Sequence, residues 1–147
     1  MTKILRGGDK VFAIRFMGEL DEEQTLRVLY QTDGGRTISA DETEINTKDI
    51  DGVDYGAVTE EISFEGFVGI DDPALDRIKT DLRGKKFVEI LEIDINTLKA
   101  DVGNYMINNL EFSYPDKESA TYSFSAKLSG NLKEETLTDV PAGATEI

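Results

Sequence analysis

The chain has 147 residues, enough for one domain with its own core, and 39% of them are hydrophobic. Its 30 acidic side chains against 16 basic ones give a net charge of −14, spread along the chain. Neither a disordered acidic tail nor a surface for specific DNA or RNA recognition fits that distribution, because nucleic-acid affinity rests on lysine and arginine displacing counterions. No cysteine and no histidine occur, which excludes disulfides, thiolate zinc sites and imidazole-based catalysis. The opening Met1-Thr2-Lys3-Ile4-Leu5-Arg6-Gly7-Gly8 is too short and too broken for a secretory signal. No apolar run approaches the ~20 residues of a membrane span, so a chain soluble when made is expected.

The dominant period is two, the signature of strands. Phe12, Ile14 and Phe16 alternate with Val11, Ala13 and Arg15, and Leu26, Val28 and Tyr30 alternate with Thr25, Arg27 and Leu29. Asp33-Gly34-Gly35 is a turn signal, with residues 36–40 expected to return as the hairpin partner of that second run. Residues 43–47 are a short β-prone piece, and residues 48–57, with two glycines and three aspartates, read as a loop. Residues 58–68 resume as a strand with Gly66 a candidate bulge. One helix is expected next: Asp72 is its N-cap, Pro73 its first position and Gly84 lies past its end, with Leu75, Ile78 and Leu82 on one face. Leu91, Ile93 and Ile95 then alternate with Glu92, Asp94 and Asn96, giving one wet and one dry face. Residues 102–114 and 121–128 form the clearest hairpin, with Tyr122, Phe124, Ala126 and Leu128 on the apolar side. After Gly130 the apolar pattern decays into a tail. The expected fold is mainly β: an antiparallel sandwich or barrel of about eight strands with one short flanking helix.

Few residues point to chemistry. Asp49-Ile50-Asp51-Gly52-Val53-Asp54 lacks the spacing of an EF-hand loop, and a solvated acidic loop explains it better. Gly7-Gly8 and Gly34-Gly35 have no following helix to cradle a phosphate. The adjacent pairs Glu22-Glu23, Glu60-Glu61 and Asp71-Asp72 are poor candidates for glycoside cleavage, since neighbours on a strand face opposite ways. Arg77, Lys79, Arg83, Lys85 and Lys86 form the basic cluster of the sequence. Complementation of the helix dipole and pairing with a neighbour's acidic surface explain it better than nucleic acid. No set of nucleophile, base and orienting group assembles, so neither a catalytic residue nor a cofactor or metal site is expected.

Three stretches carry a family resemblance. Arg6-Gly7-Gly8-Asp9-Lys10-Val11-Phe12-Ala13-Ile14-Arg15 resembles the start of the major tail proteins of long-tailed bacteriophages. Tyr30-Gln31-Thr32-Asp33-Gly34-Gly35-Arg36-Thr37-Ile38-Ser39-Ala40, leading into Glu44-Ile45-Asn46-Thr47-Lys48-Asp49, is similar to that family's strand, turn and "T-K-D" segment. Tyr122-Ser123-Phe124-Ser125-Ala126-Lys127-Leu128-Ser129-Gly130-Asn131-Leu132 resembles its closing alternating aromatic-serine strand. The likeness spans residues 6–132, its specificity lying in order and spacing. It departs from the pattern at Asp54-Tyr55, where many relatives carry tryptophan.

The resemblance implies a structural protein of the virion: six subunits close a ring, and rings stack into a hollow tube conducting DNA. It divides the chain into an N-terminal arm (1–8), a tube domain (9–132) and a C-terminal tail (133–147). The apolar-poor arm, tail and 48–57 loop are expected to carry ring-to-ring contacts, with Lys48, Asp49, Asp51, Asp54 and Tyr55 as the loop's contact residues. The acidic excess suits a surface past which DNA slides, with Glu92 and Asp94 as candidate channel residues. The bland alternative is that it keeps the protein soluble. Expected partners are further copies of the chain, a tape measure protein and terminator or distal tail proteins, with DNA as non-specific cargo and assembly in the bacterial cytoplasm. Two alternatives stay open: the tube subunit of a contractile tail, gene transfer particle or injection device, and a monomeric acidic β-barrel binding a small ligand or calcium.

Overall fold

A computed structural model describes residues 4–17, 23–28, 30–49 and 51–138. Residues 1–3 of the expected arm, Leu29, Ile50 and residues 139–147 of the expected tail lie outside them. After a 3-10 turn at Gly7–Asp9 come β1 (Lys10–Met17), β2 (Glu23–Arg27), β3 (Gln31–Asn46) and β4 (Asp51–Phe67). Helix α1 (Pro73–Arg83) follows, then β5 (Val88–Asp94), β6 (Lys99–Ser113) and β7 (Thr121–Thr136). All seven strands belong to one antiparallel sheet in the order β2-β1-β5-β6-β7-β4-β3. Among the described residues no helix is long and apolar enough to cross a membrane.

The sheet curls until its ends meet, which gives the barrel-like form. Phe12 of β1 stacks on Phe64 of β4 with ring centroids 4.8 Å apart, although three strands separate them in the sheet order. Phe64 in turn packs on Phe124 and meets Tyr122 edge-on. The side chain of Gln31 completes the closure at the backbone. Its carbonyl oxygen accepts from the Phe12 N–H (3.0 Å) and its Nε2 donates to the carbonyls of Phe12 and Val28 (both 2.7 Å). One side chain thus does across the seam what a strand pair does elsewhere.

Helix α1 covers the opening of the curl. Asp72 is its N-cap, accepting from the Ala74 and Leu75 N–H groups, and Pro73 opens the first turn. Ala74, Leu75 and Ile78 are buried against the aromatic cluster. Burial, with the nearby Asp72 charge adding to it, pushes the Tyr122 hydroxyl well above its ordinary pKa.

Several expectations are corrected. The Asp33-Gly34-Gly35 stretch is no turn; it lies inside β3, paired with Glu65, Phe64 and Ser63. Gly34 is there because a Cβ would come within 2.7 Å of the Phe12 ring. The partner of β2 is β1, and residues 36–40 pair with β4 instead. Residues 51–57 of the expected 48–57 loop are strand, because Asp51 already begins β4. Over residues 51–59 of β4 and the β3 residues they pair with, both faces are largely exposed, so the period that betrays a strand is missing. The irregularity near Gly66 belongs to β3, where the register shifts between Gln31 and Asp33. Strand β5 is not wet on one side: Val88 and Ile90 are buried in the main cluster, and Leu91 and Ile93 in a second cluster on the other face. The sheet also runs past the expected 132 boundary, with β7 paired to β6 as far as Thr136.

Truncating Phe64 to alanine removes the ring on which three other aromatics converge, and is expected to lower the unfolding free energy by about 3–5 kcal/mol in urea titration. Gly66→Ala is also expected to be strongly destabilising, because its Cβ would lie 2.2 Å from the Tyr30 carbonyl oxygen.

Candidate functional site

The feature that leaves the body of the sheet is the β3–β4 hairpin. Strand β4 pairs with β7 only from Glu61 onward, so residues 51–60 and their β3 partners form an arm. At ~3.3 Å per residue it projects roughly 30 Å. The expected contact residues all lie at its tip. Lys48 and Asp49 occupy the turn, while Asp51, Asp54 and Tyr55 stand in β4 opposite Asn46, Thr43 and Glu42. All five are exposed, Tyr55 by 81%. Val53 is exposed beside them, and Val58 and Ile38 nearer the base. An arm with apolar side chains and no covering layer is a surface prepared for a partner.

At the base of the arm sits a cluster that sequence reading does not single out. Arg36 of β3 donates through Nη1 to Glu60 (2.7 Å), through Nε to Glu92 of β5 (3.1 Å) and through Nη2 to the Tyr105 hydroxyl of β6 (2.9 Å). Burial works against the guanidinium charge, but the Tyr105 hydroxyl and the Glu92 carboxylate outweigh it, and the arginine pKa is raised. Burial likewise raises the Tyr105 hydroxyl pKa against the opposing pull of Arg36. Glu92 is therefore ion-paired at the root of the arm. Asp94, its candidate companion, accepts from the Asn96 N–H at the strand's end (2.9 Å). The two share a strand face, but Glu92 there shares the single positive charge of Arg36 with Glu60.

A second arginine organises the opposite face. Arg15 of β1 donates to Thr25 of β2, Glu89 of β5 and Glu135 near the end of β7 (2.8 Å to its Oε2). It anchors the last turn of sheet before Leu137, whose N–H reaches the Leu98 carbonyl at 2.7 Å. Among the described residues no cluster of acidic side chains is placed to hold a metal ion.

The open edges are β2 and β3. Strand β3 is 16 residues long, and among the described residues its outer backbone meets no other strand. Such an edge is a template for pairing with another chain.

Arg36→Met strands the Glu60 and Glu92 carboxylates and is expected to cost about 2 kcal/mol in denaturant unfolding, short of the ~3–5 kcal/mol of a fully buried pair. Arg36→Lys should recover only part of this, since one ammonium nitrogen cannot span the positions that Nε, Nη1 and Nη2 reach separately. The hydrogen bond from Arg15 holds the Glu135 carboxyl below its ordinary value of 4.5. A depressed folded-state pKa contributes stability that is present above the unfolded value and lost as pH falls through the folded one. The protection of the Leu137 amide, its exchange measured against the intrinsic rate at each pH, should therefore fall as the solution is acidified below about pH 4.5, an acid response that Glu135→Gln abolishes.

Comparison with known proteins agrees with this geometry. No curated protein sequence matches the chain. Among solved structures, a chain from the tail of an empty gene transfer agent particle, refined with C6 symmetry, superimposes with a TM-score of 0.75 at 14% identity, covering 90% of this chain and 100% of that one. A chain of the SPP1 tail tube gives 0.77 at 15% identity, covering 92% and 82%. One from the six-fold symmetrised anti-feeding prophage baseplate gives 0.63 at 8%, covering 94% and 99%. These likenesses establish the fold. The model of a phage tail tube protein family matches residues 4–134, nearly the whole described chain, and the protein belongs to that family.

Proposed function

We propose that this chain is the repeating subunit of a phage tail tube: six copies close a ring, and rings stack into a hollow conduit for DNA. The observation that carries this is the long open edge of β3 on an arm that its own chain leaves uncovered. In a lone molecule that edge is a liability; in a closed ring, identical neighbours satisfy its backbone groups. The six-fold symmetry of the gene transfer agent tail supports the ring size. The role is structural, with no catalytic step.

Ring-to-ring contacts fall to the N-terminal segment, the C-terminal tail and the arm through Lys48, Asp49, Asp51, Asp54 and Tyr55. The acidic excess discourages DNA from adhering to the channel wall. Asp94 supplies charge there more effectively than Glu92, whose carboxylate is committed to Arg36. A tape measure protein and terminator or distal tail proteins complete the tail, and the assembled subunit resides in the virion. An injection-device tube is the second reading, favoured by the likeness to the anti-feeding prophage chain.

Electron microscopy of the purified protein at high concentration tests the proposal. Hollow tubes built from six-fold rings are expected, whereas a persistent monomer would favour a small acidic binding module. Replacing residues 41–57 by Asn-Gly joins the paired Ala40 and Val58 through a tight turn and removes the arm with its register intact. That variant should fold normally yet fail to stack; tubes of ordinary length would remove the arm from the assembly.

A further inference from the structure

Between residues 37 and 59 the arm carries six carboxylates against the single lysine Lys48. Its exposed apolar groups include Val53 and Tyr55, which share one face opposite Glu44 and Glu42. The complementary surface lies where α1 ends. Arg83, Lys85 and Lys86 are exposed, and among the described residues none of them forms an ion pair. Phe87, which follows them, is 59% exposed. The other two cations of the cluster are engaged elsewhere: Arg77 binds Asp81 and lies over Phe16, while Lys79 sits over Phe112.

The backbone at this helix end also enters the left-handed region, as it does at Tyr30, Asp71, Leu98 and Lys117. The Lys86 N–H bonds to the Asp81 carbonyl (2.8 Å) and the Lys85 N–H to that of Leu82 (3.1 Å), the Schellman arrangement that normally places glycine in the left-handed position. Here that position, at φ +58°, is filled by Lys85, while the adjoining Gly84 is at φ −83°. The fold holds a lysine where glycine would be less strained, and strain of this kind clusters at functional surfaces.

The two surfaces are also offset along the strands. The arm's tip lies toward the end of the sheet that holds Asp94, Lys99 and Thr136. The helix leads into β5 at Val88, which pairs with Tyr105 partway along β6, on the side of the strands away from Asp94. Surfaces offset in this way permit a head-to-tail contact, which propagates a stack instead of closing a pair.

We propose that the acidic arm of one copy docks on the Arg83, Lys85, Lys86 and Phe87 surface of a copy in the adjoining ring. Val53 and Tyr55 meet Phe87 inside a rim of opposite charges. This rests on the tube reading, and wild-type tubes are the control that separates the two: if the wild-type chain makes none, the tube reading fails first.

The test is charge reversal on each side, read by electron microscopy and sedimentation, with circular dichroism confirming a folded subunit. Lys85→Glu/Lys86→Glu and Asp49→Lys/Asp51→Lys should each reduce the sedimenting fraction at least tenfold, and the combined chain should restore it. Lys85→Gly separates docking from folding: it should raise or preserve the melting temperature while weakening assembly. Wild-type tube yield from Lys85→Glu/Lys86→Glu would overturn the proposal. So would a combined chain that stays unassembled when both parents are folded and inactive.

Discussion

The stacking of Phe12 on Phe64 is the contact on which the rest of the architecture depends. It joins strands that lie far apart in the sheet, and so turns a flat antiparallel ribbon into a curl with an interior. Gln31 holds the seam shut at the backbone of Phe12, while Gly34 lets β3 pass close under the same ring. Helix α1 can then bury Ala74, Leu75 and Ile78 over an opening that a flat sheet would not possess. The strand order leaves β2 and β3 at the margins of the sheet, and the backbone of β3 along the arm is what a ring of copies would complete.

Two arginines then fix what projects from that body. Arg36 ties the root of the arm to β5 and β6, and Arg15 ties the end of β7 to β1, β2 and β5. In a chain with nearly twice as many acids as bases, each multiply bonded arginine also gathers carboxylates that would otherwise repel one another. The arm thereby acquires a defined direction without a second layer to brace it. A rigid root with an exposed tip is the mechanical requirement for an element that must find its neighbour in register.

The candidate site was partly legible in the sequence. The tip residues Lys48, Asp49, Asp51, Asp54 and Tyr55 do lie together, because any turn between long strands gathers its neighbours in sequence. The arm's strand character was hidden because both its faces are exposed and its few apolar side chains do not recur at every second position. Arg36 and Arg15 were invisible for a different reason. Their partners lie far along the chain, Glu92 56 residues from Arg36 and Glu135 120 residues from Arg15, and only the sheet order brings them near.

What the sequence by itself determined is whatever short-range chemistry dictates. Asp72, Pro73 and the apolar face of Leu75 and Ile78 mark the helix, and the alternation from Tyr122 to Ala126 marks the last hairpin, because caps and period-two burial act over a few residues. The absence of cysteine and histidine removed whole classes of chemistry without any coordinates. Tertiary structure alone decided that Gly34 serves an aromatic ring instead of a turn, that β2 returns to β1, and that both faces of β5 are covered. Each of these depends on a partner supplied from elsewhere in the chain, and pairing across such distances is chosen by the packing of the whole sheet.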